Sequence, residues 1–311
     1  MSNHELPDAV QRKCLALGEA GQRWLANLSD LVGALEREWR IEVGAALGGG
    51  SEAYVARATA NDGRRCVIKL LLPSDVPIER EIIALRIAGG RGYAQLLRYN
   101  EARGAMLLEE LGAPLDSLGL STREQMKITC AALQRSWLQV PDNSDLLTGS
   151  KKAQWLRDFI VETWDALQRP CSAAAVAQVR SFAAARIDAF DPHNAVLVHG
   201  DAHGANTLQV IGAVSGDIHA FKLVDPDGLL AEPAYDLAIA MRDWSEELLA
   251  GDALQLGRQR CEYLSYLTDV DPLAIWQWGF LERMSTGLYL LKLGYDVAGR
   301  DMLRVAERWV E

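Results

Sequence analysis

The sequence predicts an α+β protein of two lobes, on three observations. Its first ~112 residues alternate apolar and polar positions in short runs separated by turn residues, the mark of strands. After Gly112 the apolar spacing changes to three and four, the mark of helices. A β-rich stretch followed by a helical one is the α+β arrangement, and at 311 residues the chain is long enough for two cores.

In order, residues 8 to 38 read as helical, with Trp24, Leu28, Leu31, Leu35 and Trp39 at spacings of three and four. Period-two segments follow at 40–47, 53–59 and 64–72, with Asn61-Asp62-Gly63 as a hairpin signal between the last two. Residues 78 to 87 are helical and end at Gly89-Gly90, where glycine can take the left-handed closing conformation. Runs at 93–99 and 105–111 complete a five-stranded antiparallel sheet, and a hinge is expected near Glu109 to Gly112. Residues 121–139, 152–168 and 173–189 read as helices. A hairpin over 207–224 interrupts them, and helices resume from Pro233. The expected lobes are residues 1–111 and 112–311.

Composition narrows the function. The 49% hydrophobic and 24% charged content is ordinary for a soluble protein. A net charge of −10 argues against nucleic acid or anionic membrane as partner. Five scattered cysteines without a C-x-x-C pair suit a reducing compartment. Residues 1–15 carry Glu5, Asp8, Arg12 and Lys13, unlike a signal peptide, and no apolar run approaches the about 18 residues a span needs. A cytoplasmic location is expected.

The chemistry concentrates in His199-Gly200-Asp201-Ala202-His203-Gly204-Ala205-Asn206 and, beyond it, Asp225-Pro226-Asp227-Gly228. An Asp, an amide five residues later and a further Asp at a strand end are what phosphoryl transfer from a nucleotide requires. Asp201 is the expected catalytic residue, orienting an acceptor hydroxyl. Asn206 and Asp225 are the expected Mg²⁺ ligands, hard oxygen donors suited to that ion. His199 and His203, at H-x₃-H spacing, could instead bind zinc with His193 as a third ligand. Gly200 and the missing glutamate of H-E-x-x-H favour a role in shaping the loop by hydrogen bonds.

In the first lobe, Gly48, Gly49, Gly50 and Ser51 lie between two strands, where glycines let backbone N–H groups approach phosphate oxygens. A plain hairpin turn would use the same residues. Lys69 sits in an otherwise apolar strand, where a charge must be paired or snorkel from a sheet edge. Val67, two residues away on the same face, could cover an adenine while Lys69 reaches phosphates. Glu81 is the expected partner of Lys69, with Glu79 as the competitor on another helix face.

These motifs resemble the aminoglycoside phosphotransferase family, relatives of protein kinases, whose H-G-D-x-H-x-x-N loop is followed by a metal-binding strand end. Within it, Gly18 to Leu25, Glu81 to Arg86, Leu107 to Leu111 and Asp225 to Leu237 resemble the branch that includes streptomycin 6-kinases and hydroxyurea kinases. The resemblance covers nearly the whole chain. It implies a protein-kinase-like fold, ATP and Mg²⁺ as cofactors, and transfer of the γ-phosphoryl group to an alcohol. A cationic aminoglycoside, streptomycin at its 6-hydroxyl, is the implied acceptor, with antibiotic resistance as the role. Another small hydroxylated or amino metabolite, hydroxyurea-like compounds included, is the alternative.

The resemblance further implies that Glu109 to Gly112, Leu111 among them, meet adenine through the backbone. It gives Asp236 the task of bracing the catalytic loop. Asp227 stands where many streptomycin kinases carry lysine, which bears on substrate or nucleotide preference. A scaffold that binds nucleotide without catalysis is disfavoured, because Lys69, Asp201, Asn206 and Asp225 are all present. From Asp225 to Glu247 seven acids face Arg242 alone, a local net of −6 that would attract guanidinium groups. Asp227, Glu232, Asp243, Glu246 and Glu282 are the candidate substrate contacts, with Trp244 as a stacking surface.

Overall fold

The computed structural model describes residues 6–48, 50, 52–73, 78–141, 144–214 and 216–310. The chain divides into two compact units, residues 1–112 and 113–311.

In the first unit, helices α1 (Asp8–Ala16) and α2 (Glu19–Trp39) precede strands β1 (Ile41–Ala46), β2 (Ala53–Ala60) and β3 (Arg65–Leu71). Helix α3 (Ile78–Ala88) and strands β4 (Leu96–Asn100) and β5 (Ala105–Glu109) complete it. The five strands form one sheet in the order β1-β2-β3-β5-β4, every neighbour antiparallel. Cys66, Ile68 and Leu70 of β3 point into a core shared with Leu28, Val32, Leu35 and Trp39 of α2. Alternation therefore turns Val67 and Lys69 to the opposite face.

The single helix expected over 8–38 is two. Gly18 has φ +59, which closes α1, and the chain doubles back so tightly that a Cβ at Gly21 would overlap the Cys14 carbonyl. Both segments keep the same apolar period, so the break leaves no periodic signal.

The second unit is mainly helical: α4 (Thr122–Ser136), α5 (Gly149–Ala166), α6 (Ala173–Asp188), α7 (Ala234–Arg242), α8 (Ser245–Leu249), α9 (Ala253–Thr268), α10 (Pro272–Lys292) and α11 (Asp296–Arg308). Ser121 and Glu124 close a reciprocal capping box on α4, and Asp271 with Pro272 starts α10. Helix α5 begins at Gly149, ahead of the expected 152, because the Thr148 hydroxyl caps it by accepting from the Lys151 N–H. Helix α10 is buried on nearly all sides from Ala274 to Leu288, which marks it as the centre of the unit.

Among the described residues, five short strands lie between these helices. Strands β6 (Leu147–Thr148), β7 (Val196–Val198) and β10 (Leu229–Ala231) form a sheet in the order β6-β10-β7, and β8 (Thr207–Gln209) pairs with β9 (Phe221–Leu223). All five cysteines are buried thiols. Among the described residues, no helix is long and apolar enough to cross a membrane.

Candidate functional site

The first unit holds the lysine. Strand β3 is central in its sheet, so Lys69 cannot snorkel over an edge, and it is 6% exposed. Its Nζ donates to both carboxylate oxygens of Glu81, at 2.7 and 2.8 Å. Helix α3 carries Glu81 inward and leaves Glu79 exposed. Val67 is half-buried on the face that carries Lys69. Glu109 closes β5, its backbone N–H donating to the Gln95 carbonyl while its carboxylate accepts from the Gln95 N–H. Leu111 is half-buried just before the unit ends. Gly48 and Gly50 lie between β1 and β2, and a Cβ at either would meet open space. Gly49 and Ser51, named above as phosphate contacts, lie outside the described residues.

The second unit holds the two aspartates and the asparagine. The loop after β7 is built on Asp236, near the start of α7. Its buried carboxylate accepts from the His199 N–H (3.0 Å), the Gly200 N–H (2.8 Å) and the Trp137 indole N–H (2.9 Å). Burial raises its pKa against those donors and the nearby His199. Gly200 has φ +91, and a Cβ there would crowd Leu229 and Asp227, so only glycine fits.

His199 is wholly buried. Its Nδ1 accepts from the Asp201 N–H (3.1 Å), which leaves Nε2–H to donate to the Val224 carbonyl (2.8 Å). Burial pushes its pKa down, so the ring is neutral. His203 Nδ1 accepts from the Ala205 N–H at 3.2 Å, and its Nε2 lies 3.4 Å from Asp201 Oδ2. Each ring thus has both nitrogens engaged by the protein, His203 within the loop and His199 reaching out to Val224. Among the described residues no cluster of three His, Cys, Asp or Glu is arranged to hold a metal.

Asp201 receives Arg242 Nη2 on Oδ1 at 2.9 Å and His203 on Oδ2. Burial pushes this carboxyl up, but the bond from His203 and the Arg242 charge outweigh it and hold it below the usual carboxylate range. Asn206 Nδ2 donates to the Asp201 carbonyl at 3.0 Å, which fixes the amide and leaves its oxygen as the acceptor. The pairing of β8 with β9 brings Asp225 alongside, since the Val224 N–H donates to the Asn206 carbonyl at 2.9 Å. Asp225 is exposed and has φ +59, a left-handed conformation that aspartate tolerates better than most residues.

A cavity of about 450 Å³ opens beside this loop, within the same unit. His203, Arg242, Asp243, Trp244, Asp116 and Asp301 are among its lining residues. Trp244 has φ +54, unusual for a bulky residue. The turn is pinned because the Asp243 carbonyl accepts from Arg260 (2.8 Å) and Arg283 (3.1 Å), both buried.

Not every acidic candidate reaches this cavity, and the net of −6 overstates the charge on offer. Glu232 pairs with Arg186 at 3.2 Å and accepts the Trp278 indole N–H at 2.8 Å. Glu282 is 5% exposed and accepts the Tyr235 hydroxyl proton at 2.7 Å. Neither is among the cavity-lining residues: Glu282 is buried, while Glu232 is engaged by Arg186 and Trp278 with its side chain 32% exposed. Glu246 is exposed on α8 outside the cavity lining, and Asp227 Oδ2 lies 4.0 Å from Lys152 Nζ. Sequence reading did not single out Asp116, Asp301 or a role for Arg242. The one signal was Arg242 itself, a lone base in an acidic stretch.

The chain is similar over most of its length to known proteins. Residues 38–291 match the family described as aminoglycoside/hydroxyurea antibiotic resistance kinase. The chain is 24% identical over 291 residues to a streptomycin 6-kinase of Streptomyces griseus, covering 93% of this chain and 92% of that one. It is 26% identical over 261 residues to a hydroxyurea phosphotransferase of Kitasatospora aureofaciens, covering 78% and 71%. Among solved structures, a choline kinase from Streptococcus pneumoniae superposes with a TM-score of 0.61 at 15% identity, covering 91% and 99%. An ethanolamine kinase from Plasmodium vivax follows at 0.58 and 16%, covering 89% and 85%. These likenesses identify a protein-kinase-like fold. The chain belongs to the aminoglycoside/hydroxyurea antibiotic resistance kinase family.

Proposed function

We propose that this protein transfers the γ-phosphoryl group of ATP to a hydroxyl of a cationic aminoglycoside, in its most specific form the 6-hydroxyl of streptomycin. The observation that carries the reading is a charged Asp201 held by two residues, His203 and Arg242, that line an acidic cavity in the same unit.

Asp201 accepts the hydrogen bond of the acceptor hydroxyl and aims its oxygen at the γ-phosphorus. Its lowered pKa makes it a weak base, which suits a loose transition state in which the proton departs late. The new O–P bond forms as the bond to the β-phosphate breaks, ADP leaves, and the hydroxyl proton passes to Asp201. Lys69, held by Glu81, anchors the α- and β-phosphates. Asn206 and Asp225 would hold magnesium. The fixed Asn206 amide, just before β8, and the exposed Asp225, just past its partner β9, are hard oxygen donors at adjoining strand ends, a set that fits the ion. When bound, the ion neutralises charge on the phosphate oxygens. Val67, Gly48, Gly50 and the backbone from Glu109 to Leu111 are the proposed contacts to the rest of the nucleotide.

The acceptor reading rests on Asp116, Asp243 and Asp301 around the cavity, with Trp244 among them. Streptomycin carries two guanidinium groups, and carboxylates beside an indole suit that cation. A second reading, phosphorylation of hydroxyurea or another small hydroxylated or amino compound, is favoured by the family match and the hydroxyurea phosphotransferase relative. Incubation with ATP, magnesium and a panel of aminoglycosides, hydroxyurea and small alcohols separates them. Streptomycin turnover at a kcat/KM of at least about 10⁴ M⁻¹s⁻¹ is expected. Preferential turnover of an uncharged acceptor would reject the aminoglycoside reading.

A further inference from the structure

Arg242 ends helix α7, and its side chain is 14% exposed. The guanidinium meets three carboxylates from separate segments. Nη2 donates to Asp201 Oδ1 at 2.9 Å, Nε donates to Asp243 Oδ1 at 3.4 Å, and Nη1 lies 3.9 Å from Glu282 Oε2. Glu282 is itself fixed by the Tyr235 hydroxyl. Burial works against the Arg242 charge, but Asp243, Asp201 and Glu282 outweigh it, so the group stays a cation.

Geometry turns this cluster into a device. A guanidinium is a rigid planar fork, so fixing two of its arms determines where the third points. The Asp243 hydrogen bond at 3.4 Å and the Glu282 charge at 3.9 Å steer two arms, while the third makes the short bond to Asp201 at 2.9 Å. The same helix grips the loop near its other end, where Asp236 binds the backbone N–H groups of His199 and Gly200. Helix α7 thus holds three consecutive loop residues, His199 and Gly200 by their main chain and Asp201 by its side chain.

We propose that Arg242 is the positioning residue of the reaction. It locks the Asp201 carboxylate in one orientation through Oδ1, and leaves Oδ2, held more loosely by His203, to receive the acceptor hydroxyl. The proposal rests on the reading of Asp201 given above. It explains why a cation stands beside a group often treated as a base: orientation is served, basicity is not. Misplacement of a reacting group by about 1 Å can cost roughly 10²-fold in rate.

The test compares Arg242→Ala, Arg242→Lys and Asp201→Asn in the full chain, using the acceptor that the wild type phosphorylates fastest in the panel. Arg242→Ala is expected to lower kcat about 10²-fold, with ATP affinity near wild type and a lowered melting temperature, because the buried Glu282 loses a cationic neighbour. Arg242→Lys is expected to restore the melting temperature but less than about tenfold of kcat, because it restores the charge without the fork. Added guanidinium chloride, entering through the cavity that Arg242 lines, is expected to restore part of the activity of Arg242→Ala and none of that of Asp201→Asn. Arg242→Ala turnover within threefold of wild type, with Asp201→Asn inactive, would overturn the role of Arg242. So would Arg242→Lys turnover within threefold of wild type, which would make charge and not the fork the requirement, or an Arg242→Ala loss that guanidinium does not repair and that comes with weakened ATP binding. An active Asp201→Asn enzyme would instead overturn the assignment of Asp201, and that of Arg242 with it.

Discussion

His203 and Asp201 pull each other's titration in opposite directions, which gives the loop a pH signature. Burial lowers the His203 pKa, but the bond to Asp201 and its charge outweigh burial and leave it raised. A raised imidazole binds its proton more tightly in the folded state. Its contribution to stability is therefore complete below the ordinary value of about 6.5 and is lost as pH rises through the folded one. His203→Asn keeps an acceptor near the Ala205 N–H but cannot titrate. The melting-temperature gap between wild type and this variant is expected to be widest near about pH 5.5 and to shrink by about pH 8.5. A gap constant across that range would remove the ionic account of the pair. At this scale the sequence was only partly legible. Asp201, Asn206 and Asp225 declare themselves by spacing, whereas Asp116, Arg242 and Asp301 share one cavity though far apart in the chain. No local pattern reports such a meeting.

Strand β3 and helix α3 pose the next problem, a buried ion pair in a sheet that is otherwise apolar on its α2 side. Lys69 and Glu81 side chains are 7% and 12% exposed, so removing one partner strands the other in a poor solvent for charge. Glu81→Ala is expected to cost about 3–5 kcal/mol in urea unfolding. The double variant Lys69→Met with Glu81→Leu should recover most of that stability and still fail to transfer phosphate. A double variant as unstable as Glu81→Ala would mean that the pair contributes net stability, contrary to this account. Legibility among elements followed length. The strands of the first unit run five to eight residues, enough for alternation to be read, and Asn61-Asp62-Gly63 marked a turn. Strands β6 and β10 span two and three residues, too short for any period, and are held by pairing with residues distant in sequence. The break between α1 and α2 was hidden because glycine at positions 18 and 21 interrupts the chain without interrupting its apolar spacing.

For the whole molecule, the change of hydrophobic period near Gly112 was the most legible feature, since it sums over a hundred residues on either side and local exceptions average out. What that period could not reveal was how the second unit builds its loop around Asp236, a buried carboxylate whose bracing role came from the resemblance and not from the hydrophobic pattern. The five buried thiols have a practical consequence for studying each unit in turn. Cys14 and Cys66 lie in the first, and Cys130, Cys171 and Cys261 in the second. Burial drives Cys130, Cys171 and Cys261 up to about 12, so as folded they are neither accessible nor nucleophilic. Alkylation by a brief pulse of iodoacetamide in graded urea, mapped by mass spectrometry, should then register only molecules that have opened, and the labelled positions assign each opening to its unit. Rapid labelling in the absence of urea would show that the interior is less closed than these positions imply.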